Sequence, residues 1–311
     1  MEYKETWDME SVFAGGSDSP DFYKKIDALK DSLTQFDELV NKWDVTADAP
    51  SFEQLGNILA NREHIEKGIG EARTFISGLA SANVNDTHAR ANLNLVTNLA
   101  ITLSNTLVIF KKKLSEITEE DFEQLVGLEA FKKSAFPLQE IREQAQKLLS
   151  TEEEALLNNL SIDGFHGWGN MYNELVSTIQ VPFEEDGKIT YYSAGQAENK
   201  MNAEKDPIKR AKMLASWEKT WQEKADLFAS TLNHLAGFRL NDYQAHSITD
   251  YMEPPLEYNR MERETLNAMW DTISENKGKI VEYFNRKAKL LNLDQLGWLD
   301  VTTAVNVGDF A

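Results

Sequence analysis

Residues 22–43 read FYKKIDALKDSLTQFDELVNKW, and the fold class turns on them. Phe22, Ile26, Leu29, Leu33, Phe36, Val40 and Trp43 are separated by alternating steps of four and three. That spacing winds them into one apolar stripe on an α-helix whose other faces carry Lys, Asp, Glu and Gln. A helix of this kind folds only against other helices or a sheet, so the neighbouring segments decide which.

Working outward, the same periodicity predicts a helix through Leu55, Leu59, Ile65, Ile69, Ala72, Ile76 and Leu79, and another through Leu93, Val96, Ala100, Leu103, Leu107 and Phe110, with a turn over residues 80–87. Upstream, Gly15-Gly16-Ser17-Asp18-Ser19-Pro20 has the composition of a loop. Downstream, Thr118 followed by Asp121 and Ser150 followed by Glu153 are capping-box patterns, and each predicts the start of a short helix.

Between Val181 and Tyr192 the period changes. Val181-Pro182-Phe183, the turn Glu184-Glu185-Asp186-Gly187 and Ile189-Thr190-Tyr191-Tyr192 predict one β-hairpin. Asp206-Pro207 then opens a helix, because Asp caps free N–H groups and Pro suits the first helical position. Its stripe runs through Leu214, Trp217, Trp221, Ala225, Phe228, Leu232 and Leu235. A loop is expected over residues 237–255, followed by two helical stretches, one with Leu266, Met269 and Trp270 and the next with Ile280, Tyr283, Phe284, Ala288 and Leu291. Residues 292–304 read as irregular. The expected fold class is mostly α with one hairpin near 181–192, arranged as an amino-terminal helical lobe over 1–115 and a second, mostly helical lobe over 116–311.

Charge and composition narrow the function classes. The chain has 311 residues and a net charge of −19, which repels a nucleic-acid backbone or an anionic membrane unless basic residues are segregated. Lys111-Lys112-Lys113 and Lys209-Arg210 sit at helical spacing beside apolar residues and read as solvated faces. No nucleic-acid or membrane partner is expected. Cysteine is absent, which removes disulfides, thiol nucleophiles and sulfur-ligated zinc. Met1 to Glu5 is charged and no later stretch looks long and apolar enough to span a bilayer, so a cytoplasmic location is expected.

The chemistry-bearing residues do not assemble into a site. Of the five histidines, His64, His88, His166, His234 and His246, no two are four apart, so no HExxH helix is present. His234 and His246 are the nearest pair, with a helix end and loop expected between them. Gly15-Gly16-Ser17 lacks the Lys-Ser/Thr of a phosphate loop, and no Gly-x-Ser-x-Gly elbow occurs. Glu152-Glu153-Glu154 reads as acid at a helix N-terminus, and Glu184-Glu185-Asp186 as a solvated turn. Trp217, Trp221 and Phe228 read as core in preference to a ligand platform. No catalytic, cofactor-binding or metal-binding residue is assigned within this chain.

Four blocks in order nevertheless resemble the oligoendopeptidase F family of zinc metallopeptidases. They are Trp7-Asp8-Met9 through Phe13 to Gly15-Gly16 and Ser19; Leu149-Ser150 with Glu153-Glu154 and Leu156-Leu157, continuing through Gly164 and Trp168 to Tyr172; Asp206-Pro207 with Arg210 and Trp217 to Leu232-Asn233-His234-Leu235-Ala236-Gly237; and Tyr283-Phe284 to Leu290-Leu291 with Leu296-Gly297-Trp298-Leu299-Asp300. The pattern departs at Leu299, where the family favours Tyr, and at Thr302-Thr303-Ala304. The resemblance implies the amino-terminal, non-catalytic half of a zinc-dependent enzyme that cleaves short unstructured peptides, with these helices forming one wall of the cleft. It implies Zn2+ in the full-length family member, an HExxH motif in a carboxy-terminal half beyond Ala311, and no activity for this chain alone. The alternatives are a non-catalytic helical interaction module on a peptidase-derived scaffold, and a metal-binding protein using His234, His246 and acidic residues.

Overall fold

The computed structural model describes residues 7–305 apart from 47, 84 and 186. The charged start Met1 to Glu5, the turn residue Asp186 and the chain end Gly308 to Ala311 lie outside the described residues. The chain divides into two compact units, Met1–Gly167 and Trp168–Ala311, where the sequence suggested lobes over 1–115 and 116–311.

The first unit is helical. Its elements are α1 (Pro20–Lys42), α2 (Ala49–Ala82), α3 (Thr87–Glu116), α4 (Glu119–Gly127), α5 (Ala135–Ala145) and α6 (Thr151–Ser161), followed by one wide π turn at Ile162–His166. Each of the three long helices starts on a side-chain cap. Ser19, Asp48 and Asp86 accept from the backbone N–H of Phe22, Ser51 and Ala89 at 3.3, 2.9 and 2.9 Å, satisfying donors that the first helical turn leaves free. Pro20 and Pro50 add a pre-set φ at the helix start. The buried residues of α1 are Phe22, Ile26, Leu29, Leu33, Phe36 and Val40, so the stripe that opened the sequence reading is the core face. It meets α2 and α3, while α5 and α6 pack on the far side of α3. That packing draws residues 116–167 into the first unit. At Gly68 of α2 an added Cβ would fall 2.6 Å from Leu29 Cδ2 of α1, so glycine there permits the close approach of the two helices.

Two sequence expectations change in this unit. Helix α3 contains an 18-residue window of mean hydropathy 1.5, long and apolar enough by composition to cross a membrane, where the sequence reading found no such stretch. It is apolar because α1, α2, α5 and α6 surround it. Lys111, Lys112 and Lys113 are not a solvated face. Lys113 Nζ donates to the carbonyls of Asn41 and Trp43 at 2.7 and 2.8 Å, at the end of α1 where the helix dipole is negative. Lys111 and Lys112 reach Gln144 and Thr151 at 3.0 and 3.3 Å.

The second unit contains α7 (Gly167–Ser177), β1 (Gln180–Glu185), β2 (Lys188–Ser193), α8 (Ala194–Ala203), α9 (Pro207–Gln222), α10 (Ala225–Ala245), α11 (Glu253–Tyr258), α12 (Arg263–Leu290) and a 3-10 turn at Trp298–Asp300. The strands pair antiparallel from Gln180–Ser193 to Glu185–Lys188, with Gly187 at φ 78° in the turn, so the expected hairpin is present. Val181 and Phe183 on its inner face meet Leu175, Ile179, Ala197 and Phe228, with Met213, Trp217 and Trp221 packed around them. The helix expected from Asp206 through Gly237 is two helices. At the break, Lys224 N–H bonds to the carbonyl of Trp221 three residues back, and its ammonium reaches the carbonyl of Thr178 at 3.3 Å and that residue's hydroxyl. Gly237 is helical, so the expected loop begins at His246, and the two later helical stretches are the single helix α12.

Candidate functional site

A concave feature of the second unit is an open groove of about 870 Å³. Tyr172 of α7, Trp217 and Trp221 of α9 and Phe228 of α10 form its aromatic wall, and Ala215, Ala225 and Ala229 leave the space. The two indoles lie 5.4 Å apart at 49°, and Trp221 meets Phe228 at 5.1 Å. Glu218, Lys219 and Gln222 stand at its polar margin. The lining carries no imidazole or thiol, and its one hydroxyl is the Tyr172 phenol. Trp217 Nε1 and Trp221 Nε1 are buried and make no hydrogen bond, a cost accepted by a well-packed indole pair. The sequence reading of these residues as core is half of the answer: they also face open space. The signal was present in the small residues Ala215, Ala225 and Ala229 beside the aromatic stripe.

Beside the groove's helices, Arg210 on α9 is 3% exposed. Its Nη2 meets Asp300 Oδ1 at 2.5 Å, its Nη1 donates to the Glu204 carbonyl at 2.8 Å, and Nε has no partner. Lys287 Nζ donates to the Val301 carbonyl at 2.7 Å. These two buried cations hold the 3-10 turn at Trp298–Asp300 and the residues after it. The segment expected to be irregular is therefore pinned at two points.

The histidines singled out from the sequence are not brought together. His64 is exposed on α2, and His234 stacks on Trp168 at 4.1 Å and 16°. His246 Nδ1 lies 2.9 Å from the Asp242 carbonyl and 3.0 Å from its carboxylate. With α10 continuous through Ala245, His234 and His246 stand about 18 Å apart at 1.5 Å per residue, too far to share an ion. Among the described residues no group of three His, Asp or Glu side chains could hold a metal. A zinc centre therefore does not fit the described residues. The acidic runs have local duties. Glu153 completes a capping box with Ser150, and Glu154 accepts from Leu149 N–H at 3.0 Å. Glu185 accepts from the Tyr192 hydroxyl at 2.6 Å and pairs with Lys200, which holds its carboxyl below the usual range.

Two histidines of the first unit titrate in opposite senses. A hydrogen bond to Asp18, at 2.5 Å, and then the charge of Asp18 raise His88 above the ordinary imidazole value. Its contribution to stability is complete below the unfolded value near pH 6.5 and is lost as pH rises through the folded one. Burial, then the charge of Arg73, lowers His166, so its neutral form is favoured and stability falls as pH drops below about 6.5. In an NMR titration, His88 should show a midpoint above about 6.5 that falls in Asp18→Asn, while His166 should titrate below it. The same midpoint for His88 with and without the Asp18 carboxylate would refute the assignment.

Residues 113–180, from the end of α3 to the first residue of β1, match the family described as Oligopeptidase F. The chain superposes on oligoendopeptidase-F from Enterococcus faecium with a TM-score of 0.77 and 17% identity, covering 92% of this chain and 56% of that one. It superposes on a presumed peptidase from Chlamydophila abortus with a TM-score of 0.58 and 16% identity, covering 96% and 49%. The chain thus spans about half the length of the solved structures it matches. No curated protein sequence matches it. The matched segment contains the Ser150 capping box and Trp168 to Tyr172, the second of the four blocks. Residues 113–180 are thus similar in sequence to the oligopeptidase F family, and the chain as a whole shares its fold with about half of the oligoendopeptidase-F structure.

Proposed function

We propose that this chain is the amino-terminal, non-catalytic half of a zinc-dependent oligoendopeptidase acting on short unstructured peptides, and that its second unit forms one wall of the substrate cleft. In this reading the zinc ligands and the general base belong to a carboxy-terminal catalytic half, Zn2+ is bound there, and the enzyme is cytoplasmic. The observation that carries the reading is α12. Of its 28 residues only Lys287 and Ala288 are buried. Met269, Ile273, Ile280 and Tyr283 follow one another at steps of four, seven and three, with Trp270 beside the first of them, and the five are 41–57% exposed. A helix this long with an uncovered apolar stripe is cut to meet another surface. The groove between α9 and α10 adds an aromatic wall suited to peptide side chains.

The same uncovered stripe suits a second reading, a non-catalytic interaction module that keeps the peptidase scaffold. One experiment separates them. The purified chain is assayed with zinc on a quenched short peptide, alone and mixed with a polypeptide encoding the family's HExxH half. The expected result is no cleavage alone, chelator-sensitive cleavage on mixing, and a fall in hydrophobic-dye fluorescence as α12 is covered. Chelator-sensitive cleavage that tracks the chain alone through purification would overturn the proposal. A failure of the two halves to associate, with a stoichiometric complex formed instead with an unrelated protein, would favour the interaction module.

A further inference from the structure

The two edges of the hairpin are not equivalent. Pro182 has no N–H, and its partner across the ladder is Tyr191. Its carbonyl accepts from Ser216 Oγ of α9 at 2.6 Å. In an antiparallel strand the N–H and C=O of one residue point the same way, and successive pairs alternate between bonded and non-bonded. Pro182–Tyr191 is therefore a non-bonded pair, and so are Glu184–Ile189 and Gln180–Ser193 two residues to either side. Ser193 agrees: its N–H goes to Gln196 Oε1 at 3.1 Å and not across the ladder. Ile189 and Tyr191 consequently aim their N–H and C=O groups away from β1. Helix α9 lies along the β1 edge, and among the described residues no hydrogen bond joins the main chain of Ile189 or Tyr191 to another element.

The side chains of Ile189 and Tyr191 are 60% and 65% exposed, on the face opposite Val181 and Phe183. Native sheets usually guard such an edge with proline, an inward charge or a covering element; β2 has none of these over its middle residues. Two donor–acceptor pairs about 6.8 Å apart match the two-residue repeat of an extended chain. Glu184 is exposed opposite Ile189 on the outward face, and the whole chain carries −19, so a basic residue on the incoming strand is complementary. We propose that the outer edge of β2, through Ile189 and Tyr191, docks an extended peptide with basic character as a third antiparallel or parallel strand. That the partner is a peptide rests on the peptidase reading above; the edge itself rests on the ladder.

The test uses the full chain and a fluorescein-labelled peptide of alternating threonine and valine closed at both ends by lysine, followed by anisotropy. Tyr191→Pro removes an outward donor without touching the ladder to β1 and should weaken binding at least about fivefold, one hydrogen bond's worth. Tyr191→Ala keeps the donor and should weaken it less. Saturating peptide should protect the Ile189 and Tyr191 amides from exchange. Should Tyr191→Pro not fold, the same probe N-methylated at alternate residues should fail to bind the unaltered chain. Equal binding by Tyr191→Pro, binding by the N-methylated probe, or protection confined to other amides would overturn the proposal. Self-association that competes with the probe and is lost in Tyr191→Pro would overturn the peptide partner in favour of a second copy. None of these readings needs catalysis. Loss of binding in Tyr191→Pro without cleavage on mixing the two halves would reject the peptidase reading and leave the edge standing.

Discussion

Phe75→Ala is expected to destabilise the first unit by about 3–5 kcal/mol, the range for emptying a fully buried aromatic site. Phe75 is 1% exposed on α2. Its ring meets Phe13 at 4.9 Å and 75°, and Phe22 of α1 at 5.6 Å. Phe13 and Phe22 are themselves 5.8 Å apart, so the three rings close a triangle that ties the entry segment to α1 and α2. Truncation removes dispersion contacts from both neighbours and leaves a cavity that rigid helices fill only in part. Phe75→Leu keeps most of the volume and should lose roughly 1–2 kcal/mol. Exchange of the slowest amides in α1 to α3 is the measurement. They should exchange roughly 10²- to 10⁴-fold faster in Phe75→Ala. A change below about tenfold would show that the triangle is not part of the cooperative core.

How much of this was legible in the sequence depends on what each residue's burial is decided by. The helices α1, α2 and α3 were legible because their apolar residues serve one dominant face and their caps are local: Ser19, Asp48 and Asp86 sit three residues before the N–H each one accepts. The hairpin was legible because Ile189 to Tyr192 changes the period. The break between α9 and α10 was not, because Trp217, Trp221 and Phe228 keep helical spacing across it, while the turn at Lys224 is fixed by Thr178, forty-six residues away. Helix α5, not anticipated from the sequence, carries Pro137 in its first turn, where the missing N–H costs nothing. The three lysines after Phe110 were misread for a related reason: their acceptors, Asn41, Trp43, Gln144 and Thr151, come from three other segments. The groove was half legible. Apolar pattern reports that a residue avoids water in the final assembly, and it does not say whether a neighbouring helix or a bound partner provides the cover, which is why the Trp217–Trp221 wall reads as ordinary core.

The second large effect is expected at Arg210, where Arg210→Met should cost the second unit about 3–5 kcal/mol by leaving the Asp300 carboxylate and the Glu204 carbonyl without their donor. Asp300 is 14% exposed in its side chain, so water cannot fully replace the guanidinium. The pair is not a source of net stability by itself, because desolvating both charges offsets most of their attraction, and the unpaired Nε adds to the cost. Removing both charges at once, in Arg210→Met with Asp300→Leu, should therefore recover most of the loss. Arg210→Lys should not, since one ammonium cannot reproduce the fork that meets Asp300 and Glu204 together. What the pair supplies is position. Arg210 stands one turn into α9, and with Lys287 at the end of α12 it holds the turn at Trp298–Asp300 in place. The readout is exchange of the amides in α9 and in residues 298–303, compared across the single and double variants. A double variant as unstable as Arg210→Met would show that the cost lies in lost packing around the guanidinium stem and not in a stranded carboxylate. Recovery in the double variant with the 298–303 amides still exchanging fast would separate the two roles, stability regained and the turn released.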